Sequence, residues 1–368
     1  MAKPIRTIAV LRSAGLGDFI MSTPAFVALR RRFPEARIAL ITLHSQSSDQ
    51  AAKVKAYAGG ANVAPWVDLI RPHALDEVHV LPPIRSLATL RAARRQIAGV
   101  RPDLIVHLIE RGTPYRRRVA KLAFMAALFG AVRQIGWRHL GQIHPQRPPR
   151  HDPHLGHHVQ GLLDFVRELD QIPQDAEIVP EFDLRPDATA NLWANAWITA
   201  HRRSGERLVA VAPGAIHDHK RWPIEQFAEL LRRLDARHAN LRFVIVGPAK
   251  DAPLAETLVA IDPARIHDLC GQSTIAQSAA LFRDCALVVG NDGGAMHLAD
   301  AMGARVVSIV PGLEFPDSIE PWNNRDRAIR HPVPCAPCYS FTFCPQGHRR
   351  CMLDLPLADV LAQCERAL

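Results

Sequence analysis

The chain has 368 residues, 48% of them hydrophobic and 22% charged, with a net charge of +9. The length predicts about two domains, and this balance of apolar and charged residues excludes a wholly disordered chain. The longest near-uninterrupted apolar stretch, Leu122 to Val132, has 11 residues, well short of the roughly 20 that a membrane-spanning helix needs.

The opening residues carry Pro4 and only a four-residue apolar run, Ile8 to Leu11, before Arg12. That is not the pattern of a secretory signal, so the cytoplasm is the expected location. Seven cysteines are too few for a disulfide scaffold, and a reducing compartment would keep them as thiols.

Two α/β halves are expected. Thr7 to Leu11 reads as a strand, followed by the turn Ser13-Ala-Gly-Leu-Gly17 and a helical pattern from Asp18 through Phe33. Arg37 to Leu43, Val78 to Leu81 and Leu104 to Leu108 read as strands, with a helix over Arg85 to Ala98. Strands alternating with helices predict a parallel sheet. Gln142 to Pro153 and Asp170 to Pro186 read as loops, and the boundary between halves is placed near Pro186. After a helix over Asp187 to Arg203, the second half repeats the alternation. Its expected strands are Leu208 to Ala212, Leu241 to Val246, Ala286 to Gly290 and Arg305 to Val310. Its expected helices are Ile224 to Leu234, Ile275 to Phe282, Gly294 to Met302 and Leu357 to Leu368.

The charge is uneven. Arg85 to Arg150 holds 13 Arg and one Lys against Asp103 and Glu110, which is +12 in 66 residues; the rest of the chain is left with −3. Such a stretch is either a solvated face or a surface for an anionic partner.

Four motifs sit where chemistry is expected. Gly15-Leu-Gly17-Asp18 lies at a strand-to-helix turn, where glycines let a ligand approach and a helix start attracts anions; Asp18 is equally placed to cap that helix. Pro213-Gly214 to Lys220-Arg221-Trp222-Pro223 joins a strand end to a helix start. Its cations could grip a diphosphate or simply be solvated. Gly290-Asn-Asp292-Gly293-Gly294-Ala-Met-His297 is again strand, glycine turn and helix, a pattern that can cradle phosphate through free amides. Cys335, Cys338, Cys344 and Cys351 are four thiols within 17 residues. They are compatible with a structural zinc, with metal-free structural thiols, or with a redox pair at Cys335-Ala-Pro-Cys338.

In order and spacing these motifs resemble glycosyltransferase family 9, the ADP-heptose:lipopolysaccharide heptosyltransferases. The residues that carry the likeness are Ser13 to Asp18 with Ser22-Thr-Pro-Ala25, Ala212-Pro-Gly214 with Lys220 to Pro223, Val246-Gly247, Leu269-Cys-Gly271, and Asn291 to Ala299. The cysteine-rich tail is similar to that of many members.

The resemblance implies a GT-B architecture: two Rossmann-like, doubly wound parallel-sheet domains facing a cleft. Residues 1–186 would take the acceptor and residues 187–356 the nucleotide sugar, with the final helix, 357–368, packing back on the first domain. It implies an inverting, metal-independent transfer of heptose from ADP-heptose to the inner core of lipopolysaccharide, with no cofactor required for catalysis. Asp18 would be the base. Gly17, Gly214, Lys220, Asp292, Gly293, Gly294 and His297 would hold the donor diphosphate. Gly293 stands where members often have Thr. Asp251 would hold the ribose, one or two places later than the acid of some members. Arg111, Arg116, Arg117 and Arg118 would bind the phosphate-rich lipid A–core acceptor, with peripheral contact to an anionic membrane surface at the cytoplasmic face of the inner membrane.

Two alternatives are weighed. An NAD(P)-dependent oxidoreductase needs an acid about 20 residues after the glycine loop, and the first candidate, Asp49, comes late. A non-enzymatic binder of anionic ligands would use the Arg stretch. Nucleic acid is not expected as the ligand, because only three Tyr occur in the chain and no aromatic residues interleave the cations.

Overall fold

The computed structural model describes residues 4–43, 65–81, 86–109, 115–136, 156–170 and 178–368. They form two compact units that divide between Arg185 and Pro186. The expected loop Gln142 to Pro153 lies outside the described residues.

The first unit contains β1 (Thr7–Leu11), α1 (Leu16–Arg32), β2 (Arg37–Leu43), α2 (Arg71–Ala74), β3 (Glu77–Leu81), α3 (Leu87–Gln96), β4 (Leu104–His107), α4 (Tyr115–Phe129), β5 (Arg133–Ile135) and α5 (His158–Asp170). All strands pair in parallel, in the order β3-β2-β1-β4-β5. Ala9, Leu11, Ala39, Ile41 and Ile105 point to one face and pack with Ala93, Ile97, Met125 and Leu128 of α3, α4 and the turn after α3. The alternate residues Ile8, Val10, Ile38, Leu40, Leu104 and Val106 are fully buried as well. Burial on both faces explains why these strands read as continuous apolar runs. The chain leaves β1 toward β3 and then returns to the opposite side at β4. The switch point therefore lies between β1 and β4, where loops from the two strand ends diverge.

α1 accommodates Pro24 in its interior. Proline has no N–H for the carbonyl of Ile20, four residues back. The Thr23 hydroxyl donates to that carbonyl instead, at 2.8 Å, and the Ser22 hydroxyl donates to Phe19 O at 2.6 Å. The Ser-Thr-Pro sequence thus repairs its own helix.

The second unit contains α6 (Ala188–His201), β6 (Arg207–Ala212), α7 (Ile224–Arg237), β7 (Leu241–Ile245), α8 (Ala252–Val259), β8 (Ile266–Asp268), α9 (Ile275–Arg283), β9 (Leu287–Asn291), α10 (Gly294–Ala301), β10 (Val306–Ile309), α11 (Arg350–Leu353) and α12 (Leu357–Ala367). Its parallel order is β10-β9-β6-β7-β8, with the switch point between β6 and β9. Side chains of Asp187 and Thr274 cap α6 and α9.

The final helix packs on the sheet of the second unit. Val360, Leu361, Cys364 and Ala367 recur at helical spacing and are buried with Leu230, Leu234, Val307 and Ile309 of the second unit. Arg207 and Arg305 donate to the carbonyls of Leu368 and Ala367 at 3.1 and 2.9 Å, holding the helix end on this sheet.

Arg242 of β7 makes a two-pronged ion pair with Glu206, just before β6. Nε and Nη2 donate to the two carboxylate oxygens at 2.8 Å each, and Nη1 donates to Ala264 O at 2.9 Å. The Arg242 hydrogen bonds hold the Glu206 carboxyl down at about 2. A carboxyl depressed in the folded state contributes stability that is present above its unfolded pKa and lost as pH falls through the folded value. Glu206→Gln should therefore lower the thermal midpoint near neutral pH, and the gap to wild type should close between about pH 4.5 and pH 2. Thermal denaturation across that range measures it; a gap that persists at pH 2 would show that the pair is not its source.

Candidate functional site: two switch points

In the second unit, the loops after β6 and β9 meet. Lys220 ends a single turn, Asp218–Lys220, and its Nζ lies 3.7 Å from Asp292 Oδ2. His297 Nε2 lies 3.8 Å from Asp292 Oδ1. Asp292 and His297 side chains are each 7% exposed, and Lys220 is 13% exposed. The sequence-predicted Lys220, Asp292 and His297 thus form one cluster. Gly293 precedes α10 with no side-chain cap. The first amides of α10 face outward from the helix start, where partial positive charge favours an anion. Gly293 itself has extended backbone, a conformation that any residue adopts.

Asn291 locks this arrangement. Its Nδ2 donates to Pro213 O at 2.7 Å, and its Oδ1 accepts from the Trp222 N–H at 2.9 Å. One buried amide therefore holds both ends of the Pro213–Trp222 loop. Trp222 is buried, packs edge-on to Phe227 with ring centroids 5.0 Å apart, and donates its indole N–H to Leu355 O at 3.2 Å.

Gly214 is required by close approach. A Cβ there would lie 1.9 Å from Asp251 Oδ2. Asp251 is 3% exposed, and burial pushes its carboxyl up while Lys250 and Arg221 pull it down. Arg221 Nη2 is 3.9 Å from Asp251 Oδ1, an oxygen with no hydrogen-bond partner among the described residues. Arg221 and Lys250 both donate to Ala215 O, at 3.2 and 3.1 Å. Asp251 therefore lies beside the Lys220 loop, and Gly214 makes room for it.

In the first unit, Gly17 and Asp18 are the second and third residues of α1. Asp18 is exposed. Gly15, not Asp18, is the capping residue, and it has no side chain with which to cap. Arg12 was not among the predicted site residues. It is 3% exposed, donates to Asp18 O at 2.6 Å and to Leu108 O at 3.2 Å, and so ties the first turn of α1 to the end of β4. The only sequence signal was its place directly after an apolar strand. His107, at the end of β4, shares a hydrogen bond with Gln134 at 2.7 Å, and burial lowers its pKa to about 4. It is therefore neutral at neutral pH. Arg116, Arg117 and Arg118 lie in the first turn of α4, and Arg116 is exposed. Arg111 lies outside the described residues. The four tail cysteines are free thiols around one cavity.

Two doubly wound parallel sheets, the second with an uncapped helix start and a lysine at its switch point, define a two-Rossmann α/β protein. The profile of glycosyltransferase family 9 (heptosyltransferase) matches residues 119–345. Lipopolysaccharide heptosyltransferase 2 of Escherichia coli K12 is 32% identical over 353 residues, covering 88% of this chain and 87% of that protein. The chain belongs to glycosyltransferase family 9. Lipooligosaccharide heptosyltransferase 2 of Campylobacter jejuni serotype O:2 is 29% identical over 170 residues, 45% of this chain; that match spans about half, 52%, of the relative's length. The solved structure of E. coli ADP-heptose LPS heptosyltransferase II superposes with a TM-score of 0.66 at 18% identity, covering 98% of both chains. The fold is GT-B.

Asn291→Ala should leave the Pro213 carbonyl and the Trp222 amide without partners and destabilise the second unit by about 1–3 kcal/mol. Urea unfolding measures the loss. A variant as stable as wild type would show that the loop does not depend on this amide.

Proposed function

We propose that the chain transfers a heptose from ADP-heptose to the inner core of lipopolysaccharide with inversion at the anomeric carbon. The observation that carries this reading is the cluster of Lys220, Asp292 and His297 beside the uncapped start of α10, in a chain of a heptosyltransferase family. The E. coli K12 relative is a lipopolysaccharide heptosyltransferase, and the similar solved structure is of an ADP-heptose LPS heptosyltransferase. The oxidoreductase alternative gains nothing, since β2, Arg37–Leu43, holds no acid to bind a ribose.

In this reading an acceptor hydroxyl oxygen attacks the anomeric carbon as the bond from that carbon to the phosphate oxygen breaks. ADP leaves with the electron pair, and Asp18 takes the hydroxyl proton. Asp18 suits the role because it is exposed on a helix start held by buried Arg12. Charge developing on ADP is met by Lys220 and by the amides at Gly293 and Gly294, with His297 behind them. These groups supply the positive charge, so the reading calls for no metal or cofactor at the reacting centre. Asp251 would accept hydrogen bonds from the ribose. The arginines Arg111, Arg116, Arg117 and Arg118 would meet phosphate and carboxylate groups of the acceptor. That acceptor is anchored in lipid, which places the reaction at the cytoplasmic face of the inner membrane through peripheral contact with its anionic surface. Among the described residues no helix is long and apolar enough to cross a membrane.

Incubating the protein with a panel of nucleotide sugars and a truncated core acceptor, and weighing the products by mass spectrometry, tests the reaction. Acceptor mass should rise by one heptose with ADP-heptose alone; no product with any donor would overturn the assignment. Asp18→Asn should cut turnover by about 10²–10⁴ and leave ADP affinity within a few-fold, whereas Lys220→Ala should weaken ADP binding and spare acceptor binding. Calorimetric titration with ADP beside turnover assays separates the two; near-normal turnover of Asp18→Asn would remove it as the base. Alanine at Arg116, Arg117 and Arg118 together should raise the acceptor KM in a salt-dependent way with donor KM unchanged. An acceptor KM insensitive to both would place acceptor recognition elsewhere.

A further inference from the structure

We propose that the outer face of α3 and α4 is the surface by which the chain docks on an anionic lipid bilayer, with Arg91, Arg94 and Arg95 over the headgroups and Leu87 among them. This rests on the functional reading above, whose acceptor is anchored in lipid, and deepens it by naming the surface that meets the lipid. Arg116, Arg117 and Arg118 keep their place in acceptor recognition; the cations of α3 lie beyond it.

Both helices bury one stripe on the same face of the first sheet. Ala93 of α3, Ile97 just after it, and Met125 and Leu128 of α4 pack there together. The opposite stripes are therefore the outer surface of that layer. Leu87, Arg91, Arg94 and Arg95 are exposed on α3, and Arg116 and Val119 on α4, at helical spacing. Leu87 is 72% exposed and Val119 41%. Arg94 Nε donates to Ala127 O of α4 at 2.7 Å, so the two helices present one surface. The side chains of Ser86 and Thr89 cap α3 reciprocally and fix the turn that carries Leu87.

The charge of this layer is one-sided. Together α3 and α4 hold seven cations and no acid. Right-handed crossovers put α1 on the other face of the sheet, and α5 packs on it. Those two helices carry four arginines and four acids. A solvated helix of the ordinary kind is α7 of the second unit, where Arg232 and Arg233 both pair with Glu229. Arg91 and Arg95 have no carboxylate partner among the described residues. Cations gathered in one layer, with leucine and valine standing out between them, match a partner that is anionic at its surface and apolar beneath: phospholipid headgroups over acyl chains. A single-stranded nucleic acid would need aromatic rings for its bases, and among the described residues no aromatic side chain of α3 or α4 is exposed. Both helices follow the carboxyl ends of their strands, the end of the sheet at which α1 begins with Asp18. At 1.5 Å per residue they run roughly 15 and 22 Å from that end. Contact along this layer would keep a lipid-anchored acceptor within reach of it.

Cosedimentation of the whole chain with unilamellar vesicles tests the surface without a turnover assay. The chain should bind vesicles of mixed phosphatidylcholine and phosphatidylglycerol, leave pure phosphatidylcholine unbound, and be released as salt rises. Inorganic phosphate at matched ionic strength should not release it. Arg91→Gln combined with Arg95→Gln should weaken partitioning about twenty-fold, and Leu87→Ser should weaken it about five-fold. Arg232→Gln combined with Arg233→Gln removes the same charge from α7 and should stay within about two-fold of wild type. In the wild-type chain, hydrogen exchange should slow in α3 on anionic vesicles and stay unchanged in α7, a readout that needs no variant to fold. No binding to anionic vesicles, equal losses in the two arginine pairs, or exchange protection confined to other elements would overturn the proposal. Release by inorganic phosphate, or tighter binding to single-stranded DNA with the same dependence on Arg91 and Arg95, would overturn lipid as the partner. Transfer to a soluble truncated acceptor should be unchanged in the Arg91 and Arg95 variant. Loss of that transfer in wild type bears on the functional reading, whereas loss of vesicle binding bears on this surface, so the two failures are distinguishable.

Discussion

The second unit depends on the close approach of β6 and β9. They are neighbours at the switch point, and a Cβ at Gly290 would lie 2.3 Å from the Ala212 carbonyl. Only there can a side chain at the end of β9 reach the loop that leaves β6. Asn291 does so, accepting from one end of that loop and donating to the other. The position of Lys220 follows from that amide and from Trp222, which fixes the loop exit in the core. A cation in a long loop is thus placed by neutral, buried groups several residues away.

The first unit solves the same problem with different chemistry. At its switch point the tie is Arg12, whose guanidinium donates to carbonyls of α1 and of the residue after β4. Asp18 itself lies exposed in the first turn of that helix. The two units therefore share topology while their switch points differ in sign: an acid stands out in one, and a lysine with a bare helix start in the other.

Much of the fold was legible because both sheets are covered on both faces, so their strands appear as apolar runs such as Ile8 to Leu11 and Val209 to Ala212. The three-residue edge strands β5 and β8 were not legible. Each carries polar residues, Arg133 and Gln134 in one and His267 and Asp268 in the other, and pairing with a neighbour alone makes them strands. The final helix was recognised, and its contacts within the second unit were not legible. Its apolar stripe says that it packs and cannot say on what. Of the site, the charged residues in glycine turns were visible. Arg12 was not singled out, and Asn291 was quoted in a motif without a role, because their work is to hold backbone and no local spacing marks that. Gly214 was chosen as a phosphate contact; its close approach is to the Asp251 carboxyl, a pairing 37 residues apart in sequence that only the sheet order brings together.

Two ion pairs in the second unit show why the cluster reads as a site and not as scaffold. Arg242 and Glu206 meet through two hydrogen bonds of 2.8 Å, a geometry that repays desolvation. Lys220 and Asp292 are similarly buried but stand 3.7 Å apart, beyond hydrogen-bond reach. Burying two charges at that separation is poorly repaid. A diphosphate lying over the start of α10 would give the ammonium shorter, doubly charged partners and would meet the amides that no side chain caps. The loose pair is the arrangement an anion can improve, and the tight one is not.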